Sequence, residues 1–297
     1  MLPPWFAWWL GGVCGDAFGR LPMRDQRRCR VHLAKAFPDR DAAWVERTAR
    51  KTFRHFGRMA AWGLATLHRH GTEMRRGMGV ADAAGLRSFM AAARKQQPTV
   101  VYTGHVGNWE AGARVGSTLV PLAAVGRRLR NPRADALVQA IRESSGARVI
   151  YQTEDVRTMI RTLRSGLSLA VLADQDLPRL AGTWVRWFGD WALTPLGPAS
   201  LVQMGGGGCQ CVYMLWHPGR GPVGRGRWVL HLSERRVFPR ASDREAQQWE
   251  ISAWTTAQLE SLVRRHPEQW VWWHLRWRTR PPEGWTPPVA DPTPTPV

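Results

Sequence analysis

Thr99-Val100-Val101-Tyr102-Thr103-Gly104-His105-Val106-Gly107-Asn108-Trp109-Glu110 decides the architecture of this 297-residue chain. Its apolar, β-branched opening reads as a buried strand. Gly104 ends the strand. Asn108 is an N-cap residue type, placed directly before Trp109-Glu110-Ala111-Gly112-Ala113-Arg114, which reads as the first helical turns. In open α/β sheets, ligands bind beyond the C-terminal strand ends, and His105 stands at such an end. Glu110 follows five residues later. On one continuous helix that spacing would point the two side chains apart. A strand-to-helix turn lies between them, so the carboxylate can fold back onto the imidazole. Such a pair makes a general base, the carboxylate fixing the tautomer and stabilising the imidazolium that forms. The same spacing admits a plainer reading, with Glu110 complementing a helix N-terminus and His105 a satisfied loop histidine.

A second apolar run, Leu167-Ser168-Leu169-Ala170-Val171-Leu172-Ala173-Asp174-Gln175-Asp176, ends on two acids and an amide. If it lies parallel beside the first strand, Asp174 and His105 open at one edge of the sheet. On charge alone, Asp174 is a partner for Arg142 or another basic residue. Asp-x-Asp also suits a cation, but the rest of a calcium loop is missing. No metal and no cofactor are expected.

Composition bounds the function. The formal charge is +19, with 42 Lys+Arg against 23 Asp+Glu, and there are 18 Trp beside 3 Tyr and 8 Phe. Basic charge predicts polyanionic partners, and tryptophan favours membrane–water interfaces. The N-terminal run Trp5-Phe6-Ala7-Trp8-Trp9-Leu10-Gly11-Gly12-Val13-Cys14-Gly15 is shorter than the roughly 20 residues of a spanning helix. No basic segment precedes it to make a signal peptide. It reads as an interfacial helix or hairpin, with Arg20, Arg24, Arg27, Arg28 and Arg30 facing phosphates, or as a helix buried in the domain. Cys14, Cys29, Cys209 and Cys211 show no metal-ligand spacing and read as reduced, structural thiols.

Further blocks stand in order along the chain. These are His32-Leu33-Ala34-Lys35-Ala36-Phe37-Pro38, Gly126-Arg127-Arg128-Leu129-Arg130-Asn131-Pro132 and Ile141-Arg142-Glu143. Trp187-Phe188-Gly189 with Thr194-Pro195-Leu196-Gly197-Pro198-Ala199 follows, and then Pro267-Glu268-Gln269-Trp270-Val271-Trp272-Trp273-His274-Leu275-Arg276-Trp277-Arg278. With Thr103-Gly104-His105-Val106-Gly107-Asn108-Trp109-Glu110 and the Asp-Gln-Asp block, they resemble the late acyltransferases of lipid A biosynthesis. That family is a branch of the lysophospholipid and glycerolipid acyltransferases, and His105 and Glu110 match its His-x4-Glu motif. Departures are His32 where Asn is common, Arg128 for a proline and Trp187 for a phenylalanine. The resemblance runs from about residue 24 to 280.

The resemblance implies a mixed, mostly parallel central α/β sheet flanked by helices, of the glycerolipid-acyltransferase type, preceded by an N-terminal interfacial helix. The expected division is an interfacial segment over 1–23, an acyltransferase domain over 24–280 and a Pro-rich, unpacked tail over 281–297. The implied activity is transfer of an acyl group from acyl carrier protein, or acyl-CoA, to a hydroxyl of lipid A or a related envelope lipid. His105 would be the general base and Glu110 its orienting partner. Arg127, Arg142 and Asp174 would bind substrate or shape the site. The place would be the cytoplasmic face of the bacterial inner membrane, held peripherally or by one anchor on an anionic surface. Another glycolipid, a phospholipid or an aminolipid is the alternative acceptor. A basic, non-enzymatic membrane- or nucleic-acid-binding protein is the rival class. No nucleic acid is expected, because no zinc-finger or RNA-binding aromatic motif is present.

Overall fold

The computed structural model describes residues 2–153, 155–219 and 226–289. It opens with helices α1 (Pro4–Gly19), α2 (Arg24–Ala36), α3 (Ala42–Ala65) and the short α4 (Gly71–Arg76). Strand β1 (Gly79–Val80) and helix α5 (Ala83–Arg94) lead into β2 (Thr99–Thr103), α6 (Trp109–Gly116), β3 (Leu122–Gly126), α7 (Pro132–Glu143), β4 (Arg148–Tyr151), α8 (Val156–Arg164) and β5 (Ser168–Leu172). A hairpin of β6 (Gly182–Trp187) and β7 (Asp190–Pro195) follows, then α9 (Gly197–Gly205), β8 (Gly208–His217), β9 (Arg227–Leu232), β10 (Arg236–Val237) and α10 (Arg244–Arg265).

The main sheet has the order β1-β9-β8-β2-β5-β3-β4, with β10 paired to β8. β2 lies parallel between β5 and β8, and β3 is parallel to both β5 and β4. Among the described residues, only β8–β9 and β8–β10 run antiparallel in this sheet. The expected mixed, mostly parallel sheet is therefore the one observed. Residues 220–225, between β8 and β9, lie outside the described residues. The same holds for 290–297, the end of the Pro-rich tail.

Strand alternation sorts two cores. Val100 and Tyr102 of β2 face a large cluster with α2, α3, α8, α9 and α10, including Leu163, Trp187, Leu259, Trp270 and Trp272. Val101 faces the other side, with Phe89 of α5, Ala111 and Val115 of α6, and Met214 of β8. Local chemistry sets the ends of the elements. Asp41, Asn108, Asp155 and Asp243 each cap a helix with a side-chain oxygen accepting a backbone N–H. The β6–β7 turn puts Phe188 and Gly189 at positive φ, 51° and 79°, as a tight hairpin requires.

The N-terminal run is one helix, and it packs directly on α3. A methyl group built on Gly11 would collide with the Gly57 carbonyl oxygen, and one on Gly57 would collide with that of Gly11. Buried Asp16 pairs with Arg20, Arg50 and Arg54, tying α1 to α3 by charge as well. The opposite face of α1 exposes Trp5 (72%), Trp9 (56%) and Val13 (48%). Among the described residues, no helix is long and apolar enough to cross a membrane. The tryptophans of the 267–278 block behave differently. Trp270 and Trp272 are fully buried and Trp277 nearly so. These three tryptophans are core residues. Trp285 sits edge-on against Trp184 and Trp191, so part of the Pro-rich end contacts the domain.

Candidate active site

Strand register brings the site together. Thr103 of β2 is paired with Leu172 of β5. Two residues on from each, at the same height, stand His105 and Asp174. Asp174 Oδ1 is 2.8 Å from His105 Nδ1, and its Oδ2 accepts the His105 backbone N–H at 2.7 Å. Gly104 makes this approach possible, since a Cβ there would sit 3.0 Å from Asp174 Oδ2. The indole N–H of Trp270 donates to the same oxygen at 2.9 Å. Asp174 is buried. Burial pushes its carboxyl up, but the His105 charge and the hydrogen bonds from His105 and Trp270 outweigh it. The group is held well below the usual carboxylate range and is ionised at neutral pH.

The turn itself is pinned on both sides. Gly107 N–H donates to the Gln269 carbonyl and Asn108 N–H to the Met214 carbonyl, both at 2.8 Å. Gly107 has φ +60°, and a side chain there would strike the Met214 carbonyl oxygen. Asn108 Oδ1 then caps α6 through the Ala111 N–H at 3.0 Å.

Glu110, expected beside His105, has another partner. Its carboxylate pairs with the Arg142 guanidinium from α7 through two contacts, Nε to Oε2 at 2.9 Å and Nη2 to Oε1. The expected pairing is thus exchanged: Asp174 holds the imidazole, and Glu110 holds Arg142. The reason is geometric. Once Asn108 caps α6, Glu110 lies in the first turn, facing α7, while the parallel register delivers Asp174 to the imidazole. The Glu110–Arg142 pair is partly exposed. Arg127 is exposed at the head of the loop after β3. Nearby, Arg128 lies over the Tyr151 ring at 3.9 Å and pairs with Asp135.

Three further residues belong to this constellation. The Gln175 amide nitrogen lies 3.2 Å from His105 Nε2 and 3.3 Å from His274 Nδ1, between the two imidazoles. Burial and the His105 charge push the His274 pKa down to about 4, so it is neutral at pH 7. Buried Arg276 donates to the Leu193 carbonyl at 2.5 Å and to Thr194 Oγ1 at 2.7 Å. Gln175, His274 and Arg276 all sit inside blocks visible in the sequence. The polar residues in those otherwise apolar blocks were the signal. Beside the turn, a cavity of about 70 Å³ lies between α6 and the sheet, lined by Phe89, Val101, Trp109, Gly112 and Met214, with Glu110 and Arg142 also on its wall. Among the described residues no group of His, Cys, Asp and Glu could hold a metal ion.

A buried carboxylate bonded to Nδ1 leaves Nε2 as the basic nitrogen, which is the arrangement of a general base for a hydroxyl. Residues 1–279 match the model of the bacterial lipid A biosynthesis acyltransferases, and the chain belongs to that family. It is similar to the lipid A biosynthesis lauroyltransferase of Escherichia coli strain K12, 29% identical over 173 residues, or 58% of this chain. The match spans about half of that relative, 53% of its length.

Proposed function

We propose that the protein transfers a fatty acyl group from a carrier thioester, with acyl carrier protein as donor, to a hydroxyl of lipid A or its precursor. The observation that carries this reading is the grip of Asp174 on His105 at both the ring and the backbone. His105 Nε2 removes the acceptor hydroxyl proton, with Gln175 giving way to the substrate. The oxygen attacks the thioester carbonyl, the C–S bond breaks, and the departing thiolate takes the proton back from the imidazolium. Asp174 stays ionised throughout and stabilises that imidazolium. Glu110 serves by holding Arg142, which with Arg127 faces the lipid phosphates. The cavity under α6 takes the start of the acyl chain, widening as α6 shifts. The exposed Trp5, Trp9 and Val13 of α1, with Arg20, Arg24 and Arg27 beside them, rest on the cytoplasmic face of the inner membrane.

Purified protein is given acyl carrier protein or CoA thioesters with a lipid A precursor, and thiol release and lipid mass are followed together. A gain of one acyl group that vanishes in His105→Ala is the expected result. Thiol release with no lipid gain, or acylation of a different lipid in a whole-cell extract, would overturn the acceptor assignment.

A further inference from the structure

Three successive residues of the loop after β5 reach three stations of the C-terminal segment. Asp174 Oδ2 accepts the Trp270 indole N–H at 2.9 Å. The Gln175 amide faces His274. Asp176 accepts the Thr279 backbone N–H at 2.7 Å and the Thr279 hydroxyl at 2.9 Å, and its own carbonyl accepts from Arg278 at 3.2 Å. Both carboxylates are buried, whereas His105, Gln175 and His274 are half-buried. The loop is stapled on either side of Gln175, and the amide between the staples is open to a substrate. Proton transfer at His105 uses Asp174 and leaves Gln175 and His274 without a task.

The amide is fixed in place but loosely bonded. Its nitrogen lies 3.2 Å from Nε2 and 3.4 Å from Nδ1 of His105. It lies 3.3 Å from Nδ1 and 3.5 Å from Nε2 of His274. Nearly equal distances to both nitrogens of a ring mean that no bond runs along a lone pair, so each is weak. The two imidazoles stand 5.1 Å apart at 74°, with the amide between them. Nδ1 of His105 is committed to Asp174, which leaves Nε2 as the acceptor there. His274 is neutral at pH 7 and keeps a lone pair of its own. A primary amide has two N–H groups, one for each ring.

Substrate changes this balance. An acceptor hydroxyl on His105 Nε2 takes the lone pair that the amide was using. One N–H is then released while the other stays on His274. The thioester carbonyl must lie against that hydroxyl to be attacked, so its oxygen comes within reach of the released N–H. As the new C–O bond forms, the hydroxyl proton passes to Nε2 and the carbonyl π pair moves onto oxygen. When the C=O bond re-forms, the C–S bond breaks and the imidazolium protonates the thiolate. The oxygen charge that exists between these events is best met by a donor already in position.

We propose that Gln175 is a catalytic residue, the hydrogen-bond donor to the thioester oxyanion, and that His274 is a positioning residue that aims its amide. The proposal rests on the acyl-transfer reading above and supplies that reaction with its oxyanion donor. The test compares wild type with Gln175→Ala, the isosteric Gln175→Glu, His274→Leu and His274→Asn, with His105→Ala as the inactive reference. Each is assayed with a lipid A precursor and three donors: acyl carrier protein thioester, acyl-CoA and acyl-pantetheine. Thermal unfolding of each variant checks folding.

Both Gln175 variants are expected to lose about 10²-fold in kcat, as loss of one oxyanion donor does, with KM for either substrate within about threefold. The loss is the same for all three donors, because they present the same carbonyl. His274→Leu loses at least tenfold in kcat. His274→Asn recovers most of that, because its side-chain oxygen takes the place of Nδ1 as acceptor. An unchanged or raised kcat in the folded Gln175 variants overturns the proposal and leaves the amide as a plug on the resting histidine. A loss confined to KM, or to one donor, overturns it in favour of substrate recognition. Equal losses in His274→Leu and His274→Asn overturn the positioning role. These outcomes leave acyl transfer by wild type standing; no transfer by folded wild type with any donor overturns the acyl-transfer reading and this proposal together.

Discussion

Two carboxylates flank the same histidine turn and live under different conditions. Asp174 is buried, accepts three hydrogen bonds, from the His105 ring, the His105 backbone and Trp270, and serves one imidazole. Glu110 sits in the first turn of α6, partly open to water, with its charge committed to Arg142. Position in the sequence favours Glu110 as the partner of His105; position in space favours Asp174. The difference teaches that orienting a base needs a dry, multiply bonded carboxylate, whereas a wet carboxylate–guanidinium pair positions another charge.

The harshest way to break the comparison is to exchange the two losses. Asp174→Asn keeps the shape but offers an amide N–H to Nδ1, forcing the proton onto Nε2. Acyl transfer is expected to fall by about 10³-fold with folding retained, as other His–Asp pairs lead one to expect. Glu110→Gln is expected to cost only about tenfold, mostly in KM for the lipid acceptor, through a loosened Arg142. Equal losses in kcat would return Glu110 to the proton-transfer step. A milder probe sharpens the same contrast. Arg142→Ala and Glu110→Gln combined should cost little more than either alone, and that coupling should fade between low and high salt. The Asp174→Asn defect should not respond to salt.

The smallest effect is on stability. Burial depresses His55 and His274 to about 4, and His231 and His266 fall equally far, burial leading and neighbouring histidines adding. Unfolded, each would titrate near 6.5. Between these values the unfolded chain binds more protons, so stability is complete above about pH 6.5 and is lost as the pH falls towards 4. Thermal unfolding midpoints should drop through that window. His55→Gln should flatten the slope.

Much of this was legible in the sequence. The strand ends before His105 and Asp174 and the cap at Asn108 follow from local chemistry. The partner of His105 did not, because it depends on β5 lying directly beside β2 with Thr103 opposite Leu172. Nothing local encodes that register. The burial of Trp270 and Trp272 was equally hidden, since alternating aromatics and cations describe an interface and a core in the same letters. Gly71 and Gly85 weaken the helical pattern at the starts of α4 and α5. Both glycines are in tight contact, Gly71 with the Arg114 carbonyl and Gly85 near the Leu232 and Ser233 carbonyls.

The glycine contact between α1 and α3 carries one more consequence. α3 reaches the His105 turn, where the His55 ring nitrogen stands 3.5 Å from the Gly107 carbonyl oxygen. Gly11, Gly15 and Gly57 leave no side chain between the two helix backbones to yield or slide. The first helix is therefore a keel rather than a tether. A single methyl at Gly57 would push the two backbones apart and shift α1 relative to the histidine turn.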